Sequence, residues 1–245
     1  MSLKNISDQL LHELGRKIVH GELQPGQSLP KVEDLSKMKG VSRTVVREVL
    51  KGLSARRLIE STTKIGTLVC PRSTWQWWDP DVLTWASEME NNHEFLFRLT
   101  EIRLAIEPAA MEMAANNATD EDIQNIKQCF DQLKASVEDE ENWVKADYQF
   151  HQSLIQASNN ELLISLVQTL RLALERSRHT TYHAIQLQPA KPFQRPVEEI
   201  LERHEAIMLA VCEKNSLLAR DKMHELLTRV SHLIVANNDE QLQRE

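Results

Sequence analysis

Gly40-Val41-Ser42-Arg43-Thr44-Val45-Val46-Arg47-Glu48-Val49-Leu50 is the stretch on which the fold turns. Val45, Val46, Val49, Leu50 and, further along, Leu53 share one side of a short helix, so its other side is left to solvent. That free side offers Ser42, Arg43, Thr44 and Arg47 from the first turns. Arginine matches the paired acceptors on guanine in the major groove, and hydroxyls meet phosphates or bases. On an exposed helix the same side chains are also ordinary solvated residues; it is the set, inside the right supersecondary context, that points to duplex DNA.

The neighbouring residues supply that context. Leu35 and Met38 mark a preceding short helix, and Lys39-Gly40-Val41 makes a tight turn into the next, the pattern of a helix-turn-helix. Leu58 to Thr62 and Thr67 to Cys70 read as two short strands around Lys64-Ile65-Gly66, a hairpin wing. Upstream, Ile6, Leu10, Leu11, Leu14, Ile18 and Val19 fall at helical spacing and end in the turn residues Gly21 to Gly26. Residues 1–71 therefore read as a winged helix-turn-helix.

Charge divides the 245-residue chain in the same place. The net charge is −7, yet residues 1–72 hold 13 Lys and Arg against 7 Asp and Glu, a local charge of +6 that leaves −13 for the remainder. A basic head on an acidic body confines attraction for nucleic acid to the head. Four of the five tryptophans lie between Trp75 and Trp85, and residues 72–90 read as a Trp-rich linker and first body helix whose aromatic rings plug it against its surroundings. No apolar run approaches the ~18 residues that span a bilayer, and the N-terminus lacks the succession of a secretory signal. Cys70, Cys129 and Cys212 have no paired spacing, which suits small packed side chains in a reducing compartment and excludes a zinc motif. A cytoplasmic protein without membrane association is expected.

Residues 91–240 are helical throughout by pattern, so the fold class expected is mainly α: a winged helix-turn-helix followed by an antiparallel bundle of six or seven helices. Phe95, Leu99, Ile102, Ile106 and Met113 are read as one inward face, and Ile123 to Val137 as another behind the cap Thr119-Asp120-Glu121-Asp122. Polar residues interrupt the apolar stripes at three places. Asp147 and His151, four apart, lie within the stripe of Trp143, Val144, Phe150, Leu154 and Ile155, and His204 lies between Val197, Leu201, Ile207 and Met208. A carboxylate and two imidazoles directed into a bundle need partners; a divalent metal such as zinc satisfies all three, and so does a simple Asp147–His151 pair. A metal-dependent enzyme built on these three residues is the alternative function, opposed by the lack of a His-Glu-x-x-His, a nucleophile with its base, or a phosphate-cradling glycine loop. A DNA-binding scaffold whose body only dimerises is a third reading.

The chain resembles the GntR-type transcriptional regulators through Gly21-Glu22-Leu23-Gln24-Pro25-Gly26-Gln27-Ser28-Leu29-Pro30, through Val41 to Leu50 and through Arg57-Leu58-Ile59-Glu60, and its body resembles the all-helical effector domain of the FadR-type branch. The resemblance implies that Ser42, Arg43, Thr44 and Arg47 contact double-stranded operator DNA, with the wing at Lys64 and Gly66 in the minor groove. Fatty-acid-responsive members place an arginine where Glu33 stands here. The resemblance also implies metal ligands at Asp147, His151 and His204. A fourth family histidine falls at Leu226, and His224 lies about 200° around the helix from it. It implies, too, that Arg103 reaches a small carboxylate effector, although Arg103 equally suits an intrahelical pair with Glu107. The segment from Trp75 to Trp85 is similar to the linker of sugar-acid-responsive members. The implied protein is a homodimer, a repressor, whose recognition helices occupy successive major grooves of a near-palindromic operator, with an acid shifting the DNA-competent population.

Overall fold

The computed structural model describes residues 3–63, 65–89, 93–186 and 196–242. The chain forms two compact units, residues 1–92 and 93–245.

In the first unit, α1 (Leu3–Val19), α2 (Val32–Lys39) and α3 (Arg43–Ala55) precede the antiparallel strands β1 (Ile59–Thr62) and β2 (Gly66–Val69), then a 3₁₀ turn at Arg72–Thr74 and α4 (Pro80–Ser87). Val45, Val46, Val49 and Leu53 of α3 are buried, while Leu50 is half-buried. At about 1.5–3 kcal/mol for each fully buried aliphatic side chain, this stripe fixes which side of α3 faces out. Two local devices set its start. Gly40 closes α2 at φ 64°, a left-handed conformation that costs glycine little, and its N–H reaches the carbonyl of Lys37. Ser42 then caps α3, its Oγ accepting from Val45 N at 3.3 Å. In the hairpin Ile59 pairs with Val69 and Thr62 with Gly66. The strand-like loop at Ser28 lies on the open edge of β2, Leu29 N donating to the carbonyl of Thr67 at 2.8 Å.

The Trp-rich segment belongs to this first unit. Asp79 caps α4 through Asp81 N and Val82 N, Pro80 opens its first turn, and α4 packs on α1. Trp85 is fully buried: its Nε1–H donates to His12 Nδ1 at 3.0 Å, and its carbonyl accepts from His20 Nε2 at 2.8 Å. Arg56, from the end of α3, donates to Asp79 and Asp81 and lies over the Trp85 ring at 5.8 Å. Gly15 in the middle of α1 marks where that ring sits; a Cβ there would come within 2.7 Å of Trp85 Cζ2.

The second unit comprises α5 (His93–Asn117), α6 (Asp120–Ala135), α7 (Glu140–Gln156), α8 (Glu161–Thr169), α9 (Arg171–Gln186), α10 (Pro196–Cys212) and α11 (Ser216–Leu242). The capping box at Thr119 and Asp122 starts α6. Helix α11 runs along α5, α6 packs on α7, and α10 touches α5, α6, α9 and α11. Ile126, Phe130 and Leu133 of α6 are buried, as are Met223, Leu226, Leu227, Val230 and Ile234 of α11. The face expected for α5 is misphased: Ile102 and Met113 are exposed, and Leu96, Leu99, Arg103, Glu107, Met111 and Ala114 turn inward. Two charged residues within the stripe disguised it from an apolar count. No helix among the described residues is long and apolar enough to cross a membrane.

Candidate functional site

Two chemically distinct surfaces result, one on each unit. On the first, Ser42, Arg43, Thr44 and Arg47 are all exposed along the N-terminal half of α3. Arg43 Nη1 lies 3.5 Å from Glu33 Oε1 of α2, an exposed pair that contributes little stability. Ser42 serves the helix start as its cap, which leaves its hydroxyl hydrogen and second lone pair for other partners. Gly66 opens β2 at φ 97° with its surface exposed, and Lys64 lies outside the described residues.

In the second unit α7 and α10 bring Asp147, His151 and His204 together, and among the described residues their ligand atoms form a group of three within 4.8 Å of one another. His151 Nε2 is 3.3 Å from His204 Nε2, and His204 Nε2 is 2.9 Å from Asp147 Oδ1. The outer nitrogens fix the tautomers. His204 Nδ1 is 2.7 Å from the carbonyl of Ile200, which only accepts, so Nδ1 carries the proton. His151 Nδ1 faces Glu107 Oε2 at 3.2 Å. Neither of those two atoms has a hydrogen bond among the described residues, and a proton on His151 Nδ1 would point at the carboxylate. Both Nε2 atoms then present lone pairs to each other and to a carboxylate oxygen. Three acceptors converging in a buried site could hold a metal ion between them, and a proton shared on an Nε2 satisfies the same atoms. Edge contacts from Phe150 to both imidazoles, at 5.5 and 5.8 Å between ring centres, hold the rings in this arrangement.

The ionisation states follow from the charges packed around each group. Burial raises the Asp147 carboxyl, but Arg178 and the two histidines outweigh it and hold it below the usual carboxylate range. Burial likewise opposes ionisation of Glu107, and Arg103 followed by His151 overcomes it. Burial pushes His151 down against the pull of Asp147 and Glu107, favouring the neutral ring that serves as a ligand. Arg103, Trp143, Thr181, Tyr182 and Leu226 join the three residues around a small cavity of about 30 Å³, so an acid larger than a few atoms enters only as these side chains move apart.

Two residues at this centre were not read from the sequence as part of it, although Glu107 was expected as a pair for Arg103. Arg178 of α9 is buried and donates from Nε to Asp147 Oδ2 and from Nη1 to the carbonyl of Leu174. Its signal was available, because it continues the inward stripe of Leu174, Tyr182 and Ile185. Arg171 and His183, on the same helix, face solvent. Glu107 is the other. Arg103 lines the cavity, but its Nε donates to Glu107 Oε1 at 2.7 Å, so the intrahelical pair is formed.

A winged helix-turn-helix with exposed arginines on α3, joined in one chain to an all-helical body with a closed polar centre, defines the class of a DNA-binding regulator. Comparison with known proteins agrees. Residues 6–69 match the model of the bacterial regulatory proteins of the gntR family, and residues 98–229 match the FCD domain. The chain is 35% identical to the galactonate operon transcriptional repressor of Escherichia coli (strain K12) over 162 residues, 66% of this chain and 71% of that protein. It is 33% identical to the HTH-type transcriptional regulator LutR of Bacillus subtilis (strain 168) over 227 residues, 92% of this chain and all of that one. In fold it is similar to Lar, described as controlling the Listeria monocytogenes agr system, at TM-score 0.56 and 20% identity over 96% of this chain and 97% of that one. The chain belongs to the GntR family, in the branch that carries an FCD domain. It is a DNA-binding transcriptional regulator, and the family and its relatives are regulators, not enzymes.

Proposed function

We propose that this regulator represses transcription as a homodimer on near-palindromic operator DNA and that a small carboxylate, a sugar acid or related hydroxycarboxylate, bound beside a divalent metal in the body, controls it. The observation that carries the ligand half is the convergence of His151 Nε2, His204 Nε2 and Asp147 Oδ1 within a few ångströms in a buried site, three ligand atoms once both imidazoles carry their protons on Nδ1. A bound divalent ion supplies positive charge and an open coordination position for an acid oxygen. Asp147, His151 and His204 hold it; Glu107 and the Ile200 carbonyl fix the tautomers of the two imidazoles. Thr181 and Tyr182 line the same cavity with hydroxyls suited to a polyhydroxylated acid. Arg43 and Arg47 read bases while Ser42, Thr44, Lys64 and Gly66 approach the backbone and minor groove. The name of the galactonate relative supports the choice of acid.

Elemental analysis of the purified protein is expected to find a divalent metal that His204→Ala removes, because a site reduced to two protein ligands loses most of its affinity. A panel of sugar acids should then contain one that raises the melting temperature and releases operator DNA from the wild type. Wild-type protein that takes up no zinc, manganese or nickel would refute the metal half. Leu226 lines the cavity at the position of the missing family histidine. Leu226→His is expected to tighten zinc binding by about tenfold or more, at least what the loss of a single outer partner costs such a site. Unchanged or weaker binding, with the fold intact, would mean that α11 does not face the ion.

A further inference from the structure

The charge buried inside the body deepens the metal-and-acid reading, and the role it assigns to Arg178 rests on that reading. Arg103, Glu107, Asp147 and Arg178 are each at most 7% exposed, and their formal charges cancel. A divalent ion held by two neutral imidazoles and Asp147 leaves this buried group with two uncompensated positive charges. One of the existing cations, Arg178, is already hydrogen-bonded to Asp147 Oδ2, the carboxylate that the ion needs. Leu226 and Val230 close the α11 side of the cavity without offering a ligand atom. A guanidinium is planar and forked, matched to a carboxylate in two parallel hydrogen bonds, and it keeps its charge when buried.

We propose that Arg178 opposes the metal: it holds Asp147 in the ion-free body, and a small carboxylate entering the cavity draws the guanidinium to itself while filling the coordination position that Leu226 leaves open. Ion and acid then bind with positive cooperativity, each raising the affinity of the other by the same factor. Arg178 is a positioning residue on this account, acting through Asp147. The alternative is that Arg178 supports the ion from outside by orienting its ligand, and the two predict opposite signs on removal.

Zinc is titrated calorimetrically, with no acid present, into metal-free wild type and the full-length variants Arg178→Met and Arg178→Lys. Arg178→Met fills a similar volume without charge and is expected to bind zinc about tenfold tighter than wild type, within the usual range of coupling between sites. Arg178→Lys keeps the charge and is expected to stay near wild type. In wild type, zinc affinity should rise in a panel of D-galactonate, D-gluconate, L-lactate and acetate for at least one member, and in Arg178→Met that rise should shrink to what direct contact of acid and ion supplies. A folded Arg178→Met that binds zinc as weakly as wild type, or more weakly, overturns the proposal, as does a wild-type zinc affinity indifferent to the whole panel. Should Arg178→Met fail to fold, the ¹⁵Nε–H resonance of Arg178 in wild type decides: saturation with zinc and the acid should shift it as Asp147 is exchanged for a new partner, and an unmoved resonance overturns the idea. If no protein takes up zinc, manganese or nickel at all, the underlying metal reading has failed, a result separable from failure of the proposal alone.

Discussion

With Arg43 and Arg47 both replaced by alanine, the protein is expected to lose operator binding at physiological salt and to keep its unfolding transition. The fold does not depend on either side chain. Both are exposed, the buried stripe of α3 is made by Val45, Val46, Val49 and Leu53, and the Ser42 cap stays in place. Alanine is at least as good a helix former as arginine, and the loose Arg43–Glu33 pair at 3.5 Å contributes little. Binding is another matter. A bidentate arginine–guanine contact discriminates by about 1–3 kcal/mol, so the pair is expected to cost about 2–6 kcal/mol, roughly a 30-fold to 10⁴-fold loss of affinity. Fluorescence anisotropy on fragments that wild type selects from random DNA measures it. The salt dependence adds a second test: an arginine that only neutralises phosphate lowers the slope by about one and weakens all sequences alike, whereas a base-reading arginine relaxes the preference at one position. If the double variant binds its fragment as wild type does, α3 is not the recognition helix. The mixed role of Ser42 makes it a poorer probe, since its loss removes a cap contributing about 1 kcal/mol as well as a contact.

Most of the head was legible in the sequence because each of its elements is announced locally. A left-handed glycine at Gly40, a serine cap at Ser42, a period of 3.6 in α3 and turn residues between two short strands all act over a few positions. The convergence of Asp147, His151 and His204 was legible for the same reason: polar residues in otherwise apolar stripes stand out. Their supporting charges did not. Glu107 and Arg103 lie four apart on α5, where they look like a surface ion pair, and their burial is decided by α7, α10 and α11 packing over them. Arg178 likewise gains its meaning from Asp147, 31 residues earlier on another helix. Periodicity assigns a charged residue to the outside, and only its partner, brought by tertiary structure, reverses that assignment. The destination of the tryptophans was hidden in a similar way, because nothing near Trp85 in the chain shows that Gly15, 70 residues before it, leaves room for the ring.

That notch supports the second large effect, the destabilisation of the head by Trp85→Ala. The ring is fully buried against Gly15 of α1 and beneath Arg56 at the end of α3, so its removal opens a cavity that close-packed helices fill only in part. Truncations of this kind cost about 3–5 kcal/mol, a large share of the 5–15 kcal/mol that holds a domain folded. The loss should appear as faster hydrogen exchange in the amides of α1 and α3 and as weaker operator binding without any change at the DNA-facing side chains. Two further variants separate volume from polarity. Trp85→Phe keeps most of the buried area and gives up the N–H that His12 accepts; His12 is exposed and turns to water, so the cost is expected near 1 kcal/mol beyond the lost volume. Gly15→Ala adds a methyl group where the indole already sits. The smaller backbone entropy that alanine loses on folding would favour it by about 1 kcal/mol, but a Cβ within 2.7 Å of Cζ2 has to displace a fully buried ring, and overpacking of this kind costs about 1–3 kcal/mol. The expected order of stability is therefore wild type, then Gly15→Ala and Trp85→Phe close together, then Trp85→Ala. A Gly15→Ala protein more stable than wild type would show that the ring does not occupy the notch, and that polar contacts such as those of Arg56 with its two aspartates anchor the aromatic segment instead.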